Sequence, residues 1–229
     1  VLNLQYSKKT HYKKLEQVLV FFNVETVRLN ENIEEYYPFK FHKNVDGWSL
    51  EHIHAQNSDF LDQTKKEQWK TWIDEHLPLL KELSKVQTDS IDLVRLVQEL
   101  TTFKEKTVNA TWAEFEQLAN RAFSFFNYDE ESGDDTMHSI SNLALLGQAD
   151  NSALNNSVFE VKRRKIIEMD TEGKYIPICT KHIFLKYYED QDFNQQFYFW
   201  GAKERENYVK VLKRVLKDYL KEESTSDGN

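Results

Sequence analysis

The chain has 229 residues, long enough for a sizeable core, and its 40 % hydrophobic and 14 % aromatic content is that of a folded protein, not a disordered one. A net charge of −8 argues against a uniformly basic nucleic-acid binder, and the single cysteine, Cys179, excludes an internal disulfide and a multi-cysteine zinc site. No apolar run reaches membrane length, and only 6 Gly and 3 Pro point to long helices with few tight turns. The chain opens on Val1 with no apolar leader, so the expectation is a single domain, 1–229, cut from a longer soluble protein of the reducing cytoplasm.

In chain order, Tyr12, Leu15, Leu19 and Phe22 predict a helix over Thr10 to Asn23 with one buried face. "VETVRLN" then reads as strand-like, and Asp46-Gly47 is a turn signal before "WSLEHIHAQN", which reads as a strand. From about 60 to 128 the pattern is helical. Thr64 with Glu67 looks like a capping box ahead of Trp69, Trp72, Ile73 and Leu77, and Pro78 is expected to break or kink that helix. A second helix is expected from Ser90 to Lys106 with Ile91, Val94, Val97 and Leu100 on one face. A third starts at Thr111, boxed by Glu114, with Trp112, Phe115, Ala119, Ala122 and Phe126 inward.

The acidic run Asp129 to Asp135 reads as a loop, "SISNLALL" as a short apolar strand, and "SVFEVKRRKIIEMD" as a helix with Val158, Val161 and Ile166 inward. Tyr208, Val211, Leu212, Val215 and Tyr219 mark a last amphipathic helix. The fold class is α+β, mostly helical.

The chemistry-bearing residues, in order, are Glu51-His52, Asn142, Asn151 and a helix rich in Lys and Arg. A strand ending in acid-His, a second strand bearing Asn and a helix supplying a further polar ligand is the layout of a ββα-metal (HNH) nuclease site. Such a site needs hard oxygen and nitrogen ligands with positions open for a phosphate oxygen, and a neutral histidine to take a proton from water.

"EHIHAQN", "ISNLALL", "DNSALNNSVFEVKR" and "YIPICTKHIFLKYY" together resemble the C-terminal HNH domain of the GmrSD-type restriction endonucleases, over about Tyr12 to Tyr219. The resemblance implies a divalent-metal-dependent DNA endonuclease in defence against foreign or modified DNA, using Mg²⁺ or Mn²⁺, with no membrane partner. It implies an N-terminal nucleotide-dependent domain in the parent protein. It places Glu51 and Asn151 as metal ligands, His52 as general base and Asn142 as the residue tying the two strands together. Lys162, in the "F..K" signature, becomes a phosphate contact, with Arg163 and Lys165 beside it on the DNA.

The match departs from the family pattern in three respects. Ninety residues (142 − 52) separate His52 from Asn142, so a helical insertion must leave both strands adjacent. Ala55 stands where "EHI.PQ" has proline. Strand alternation puts Glu51 and His52 on opposite faces, so a shared site requires the strand to end, twist or bulge there.

Each residue also has a plainer reading. His52 and Glu51 could be charges on an exposed edge strand, and Glu51 could only orient a neighbouring ligand. His54 could contact metal or phosphate, or be a polar edge residue. Asn142 could cap a turn and Asn151 a helix, with Asn155 and Asn156 as rivals for its role. The run Lys162 to Lys165 could be a solvated helix face. His138 and His182 read as structural, and Cys179 as a buried apolar residue. Two rival functions follow: a non-catalytic nucleic-acid or partner-binding module that retains the fold, and an RNA-directed or toxin-like nuclease.

Overall fold

The structure is a computed structural model that describes residues 4–30, 37–38, 47–55, 61–126, 137–148, 150, 154, 157–188 and 198–220. Helix α1, Lys9–Arg28, buries Leu15, Leu19 and Phe22 on the expected face. It runs on through "VETVR", which the sequence suggested as strand-like. Val27 stays on the buried face there, and Glu25 pairs with Arg28 at 2.6 Å one turn away. Burial and an i,i+3 ion pair outweigh the β-branched composition.

Strand β1, Trp48–His52, leads into three helices: α2, Lys66–Val86; α3, Ile91–Lys106; and α4, Trp112–Phe126. Three expectations need correcting here. Helix α2 has no Thr64–Glu67 box, because Asp62 takes both the Thr64 amide, at 2.9 Å, and the Thr64 hydroxyl, at 2.6 Å. Pro78 does not end α2, whose buried Leu77, Leu79 and Leu80 hold the run together across it. In α3 the buried face is Leu93, Leu96 and Leu100, while Ile91 is 81 % and Val94 41 % exposed. Two apolar stripes at helical spacing compete in that segment, and the leucine one belongs with Trp72 and Phe115 to the insertion core. The Thr111–Glu114 box does form, the Glu114 carboxylate accepting from the Thr111 amide at 2.7 Å.

A 3₁₀ turn, Ile140–Asn142, enters strand β2, Leu143–Gly147. The two strands are antiparallel, with Trp48 opposite Gly147 and His52 opposite Leu143. The helical insertion therefore leaves the strands side by side. The outer edge of β2 is blunted by hydroxyls, since the Leu143 carbonyl accepts from Tyr208 at 3.1 Å and the Leu145 carbonyl from Thr180 at 2.5 Å. Helices α5, Phe159–Thr171, α6, Ile178–Phe184, and α7, Ala202–Val215, follow, and a 3₁₀ turn, Lys217–Tyr219, then leaves Tyr219, expected on the inner face of the last helix, exposed.

Two apolar cores result. One joins α1, both strands, α6 and α7; the other joins α2, α3 and α4. Helix α5 serves both, giving Phe159 and Ile166 to the first, and Val161, with Val158 at its N-cap, to the second.

Candidate active site

The site lies where β1 ends and β2 begins. The Asn142 side chain is fully buried and spans the two strands: its Oδ1 accepts from the His54 amide at 3.1 Å and its Nδ2 donates to the His54 carbonyl at 3.0 Å. A third bond, Nδ2 to the Met137 carbonyl at 3.1 Å, and a backbone bond from the Ile53 amide to the Asn142 carbonyl at 2.9 Å, fix the entry to β2. A primary amide suits this task because it offers donor and acceptor in one plane. The chain just beyond His52 is thereby held to the head of the second strand.

Strand β1 stops at His52, and Glu51 and His52 find different neighbours. Glu51 is buried, and its Oε1 accepts from Lys162 Nζ at 2.5 Å; the same ammonium donates to the His52 carbonyl at 2.6 Å. Burial pushes the Glu51 carboxyl above its ordinary value, while Lys162 and then Lys165 pull it back.

His52 is half-buried, with its Nε2 3.4 Å from His138 Nδ1 and its ring edge-on to Tyr6, centroids 4.6 Å apart. Its pKa is lowered to about 3, chiefly by burial, then by the Lys162 and His138 charges. The imidazole is therefore neutral at pH 7 and can accept a proton. An anionic phosphate beside it would raise its basicity toward the range useful for catalysis.

The basic run is corrected at Lys162. Lys162, expected on DNA, is fully buried beneath Glu51 and cannot reach a phosphate. Arg163 pairs with Glu160 at 3.4 Å and Lys165 with Glu75 of α2 at 2.7 Å, each side chain staying partly exposed. The alternation of α5 explains this, since the run wraps the helix instead of lining one solvated face.

His54 is corrected as well. It is 2 % exposed, and its Nδ1 accepts from the Phe159 amide at 3.2 Å, capping α5 instead of facing a ligand. Asn151, Asn155 and Asn156, and the acidic run Asp129 to Asp135, lie outside the described residues.

Sequence reasoning overlooked Tyr6, His76 and the contact of His138. Tyr6 is brought in by its amide bond to the His138 carbonyl at 2.7 Å, which nothing local in "LNLQYSKK" signals. His76 was visible in principle, because it falls on the buried stripe with Trp72, Ile73 and Leu80. Its Nδ1 bonds the Trp72 carbonyl at 2.7 Å and its Nε2 accepts the Val158 amide at 3.2 Å.

For a divalent ion, the donor chemistry fits in kind. Glu51 supplies a buried carboxylate, but its Oε1 already carries the Lys162 ammonium, so an ion would bind at the other oxygen or displace that contact. Mg²⁺ needs only one or two carboxylates when water and phosphate complete its shell. Among the described residues no three His, Cys, Asp or Glu side chains converge. No helix among the described residues is long and apolar enough to cross a membrane. No protein-family model, curated protein or solved structure matches the chain.

Proposed function

We propose that the chain is a divalent-metal-dependent endonuclease domain that hydrolyses DNA phosphodiester bonds through a ββα-metal core with a helical insertion between its strands. The observation that carries this reading is the Asn142 amide bridging β2 to the chain directly after His52, an arrangement that orients a neutral imidazole at a strand end. His52 is the general base: it takes the proton of the attacking water. Asn142 positions it, and Lys162, through the His52 carbonyl, holds the backbone that carries it. Glu51, with Asn151 as the expected second ligand, would hold Mg²⁺ or Mn²⁺, which when bound supplies positive charge to the scissile phosphate. By resemblance, a nucleotide-dependent domain of the parent protein would choose foreign or modified DNA, and the compartment is the cytoplasm.

Nicking of supercoiled plasmid with Mg²⁺ or Mn²⁺, and silence in EDTA, is the expected result. His52→Ala should abolish nicking in a protein whose melting temperature at pH 7 stays near the wild type. Undiminished cleavage by that folded variant sinks the assignment. A second reading, a non-catalytic nucleic-acid or partner-binding module, is favoured by the Glu51–Lys162 pair, which already neutralises the acid. Binding of DNA without cleavage under every metal tested would select it.

A further inference from the structure

We propose that His52 and His138 form a two-histidine site for a borderline transition-metal dication of the Zn²⁺ class, distinct in ligand chemistry from the oxygen-ligand Mg²⁺ site assigned to Glu51. Four observations converge on this pair.

First, His52 Nε2 and His138 Nδ1 lie 3.4 Å apart. The two nitrogens share a long ring N–H···N hydrogen bond, and an ion could take the place of its proton. Their separation is the one two imidazole nitrogens adopt on a tetrahedral ion: two bonds of about 2.05 Å at the tetrahedral angle span about 3.3–3.4 Å. Second, the rings are held before any ion arrives. Tyr6 meets His52 edge-on at 4.6 Å and lies nearly parallel to His138 at 6.2 Å, and the two imidazoles cross at 68°. The Tyr6 amide bond to the His138 carbonyl, and the bridge from Gln5 to Ser139, anchor the segment that carries Tyr6. Third, both histidines are half-buried, which leaves partial access from solvent. Fourth, Lys162, whose charge is felt at His52, is paired with Glu51 at 2.5 Å, which offsets part of the repulsion a dication would meet there.

Imidazole nitrogen selects Zn²⁺, Ni²⁺, Co²⁺ or Cu²⁺ over Mg²⁺ and Ca²⁺, which prefer oxygen. Among the described residues no third His, Cys, Asp or Glu joins the pair. The binding stands independently of the nuclease reading. Its consequence rests on that reading: an ion on Nε2 takes the lone pair with which His52 would accept the proton of water, so Zn²⁺ would inhibit where Mg²⁺ activates.

The test is Zn²⁺ titration of the whole chain in millimolar Mg²⁺, followed by the ring-proton signals of its histidines. The expected result is one saturable site that shifts the His52 and His138 signals and leaves buried His76 unmoved. Titration calorimetry should show that site lost in both His52→Ala and His138→Ala, each checked for folding by circular dichroism. Shifts confined to other histidines, or undiminished affinity in either folded variant, would overturn the proposal. Nicking assays add a separate arm. Zn²⁺ bound at the pair without inhibiting a cleaving enzyme leaves the metal site standing and counts against His52 as the base.

Discussion

Lys162 has an aliphatic stem and a charged head placed where neither touches water, between the Glu51 carboxylate and the His52 carbonyl. Two charges taken out of water stabilise a fold only when both are satisfied, and removing one partner is far worse than removing both. Lys162→Met should therefore cost about 3–5 kcal/mol in urea denaturation at pH 7, because it leaves the buried Glu51 carboxylate unpaired. Glu51→Gln with Lys162→Met should recover a large part of that loss. If the double variant is as unstable as the sum of the two single ones, the two groups do not form a stabilising pair. This residue also shows what a one-dimensional reading cannot carry. Lys162, Arg163, Arg164 and Lys165 are indistinguishable by type, yet the first is buried, and Arg164 and Lys165 reach across to Glu82 and Glu75 of α2. Only the phase of α5 relative to β1 separates them. The pairing of Asn142 with the chain beyond His52 was legible only through the family resemblance, since the residue alone read equally as a turn cap.

Helix α5 poses an unusual capping problem. Its N-cap, Val158, has no side chain able to accept, and the first amides of a helix need acceptors. Histidines from two different segments supply them: His76 of α2 takes the Val158 amide and His54, just past β1, takes that of Phe159. Each must be neutral at the accepting nitrogen. Burial holds the His76 pKa at about 3, opposed by its bond to the Trp72 carbonyl and reinforced by Lys165, Lys162 and His54. The unfolded chain binds a proton at this histidine near its ordinary 6.5, so between pH 6.5 and 3 it holds more protons than the folded one. Stability should be unaffected by this group above pH 6.5 and fall by about 1.4 kcal/mol per pH unit below it. His52, also lowered to about 3, adds a second such contribution. His76→Gln keeps an acceptor but cannot titrate. Urea denaturation from pH 7 to 4.5 should show a slope shallower by one proton in that variant, and identical slopes would exclude His76 as a titrating cap. The elements themselves were mostly legible from apolar spacing. Where two stripes overlapped, as with Ile91 and Val94 against Leu93 and Leu96, spacing could not choose, since the choice depends on which face the neighbouring helices cover.

At the scale of the molecule, the question is whether the insertion folds as a passenger or as part of the same unit. Local sequence could not answer it. That β1 and β2 pair across so long a gap was readable only through the linked motifs, because strand pairing at that separation leaves no periodic trace. The structure joins the two cores through α5. Its Val161 packs with the insertion, its Phe159 and Ile166 pack with the strands, and its N-terminus is capped from both sides. The ion pairs Arg164–Glu82 and Lys165–Glu75 also cross this junction, but partly exposed pairs contribute little, so the packing and the caps carry the coupling. Val161→Ala, at a position 4 % exposed, should lower stability by about 1–3 kcal/mol through lost contacts and a small cavity. If the protein unfolds as one cooperative unit, the slowest-exchanging backbone amides of α1, in the first core, and of α4, in the second, should lose the same free energy in native-state hydrogen exchange. A loss confined to α2, α3 and α4 would show instead that the insertion opens by itself while the strands stay closed. Equal losses would mean that anything disturbing the α2–α5 junction reaches His52 through Lys162 on the same helix, so the insertion would be part of what holds the site in place.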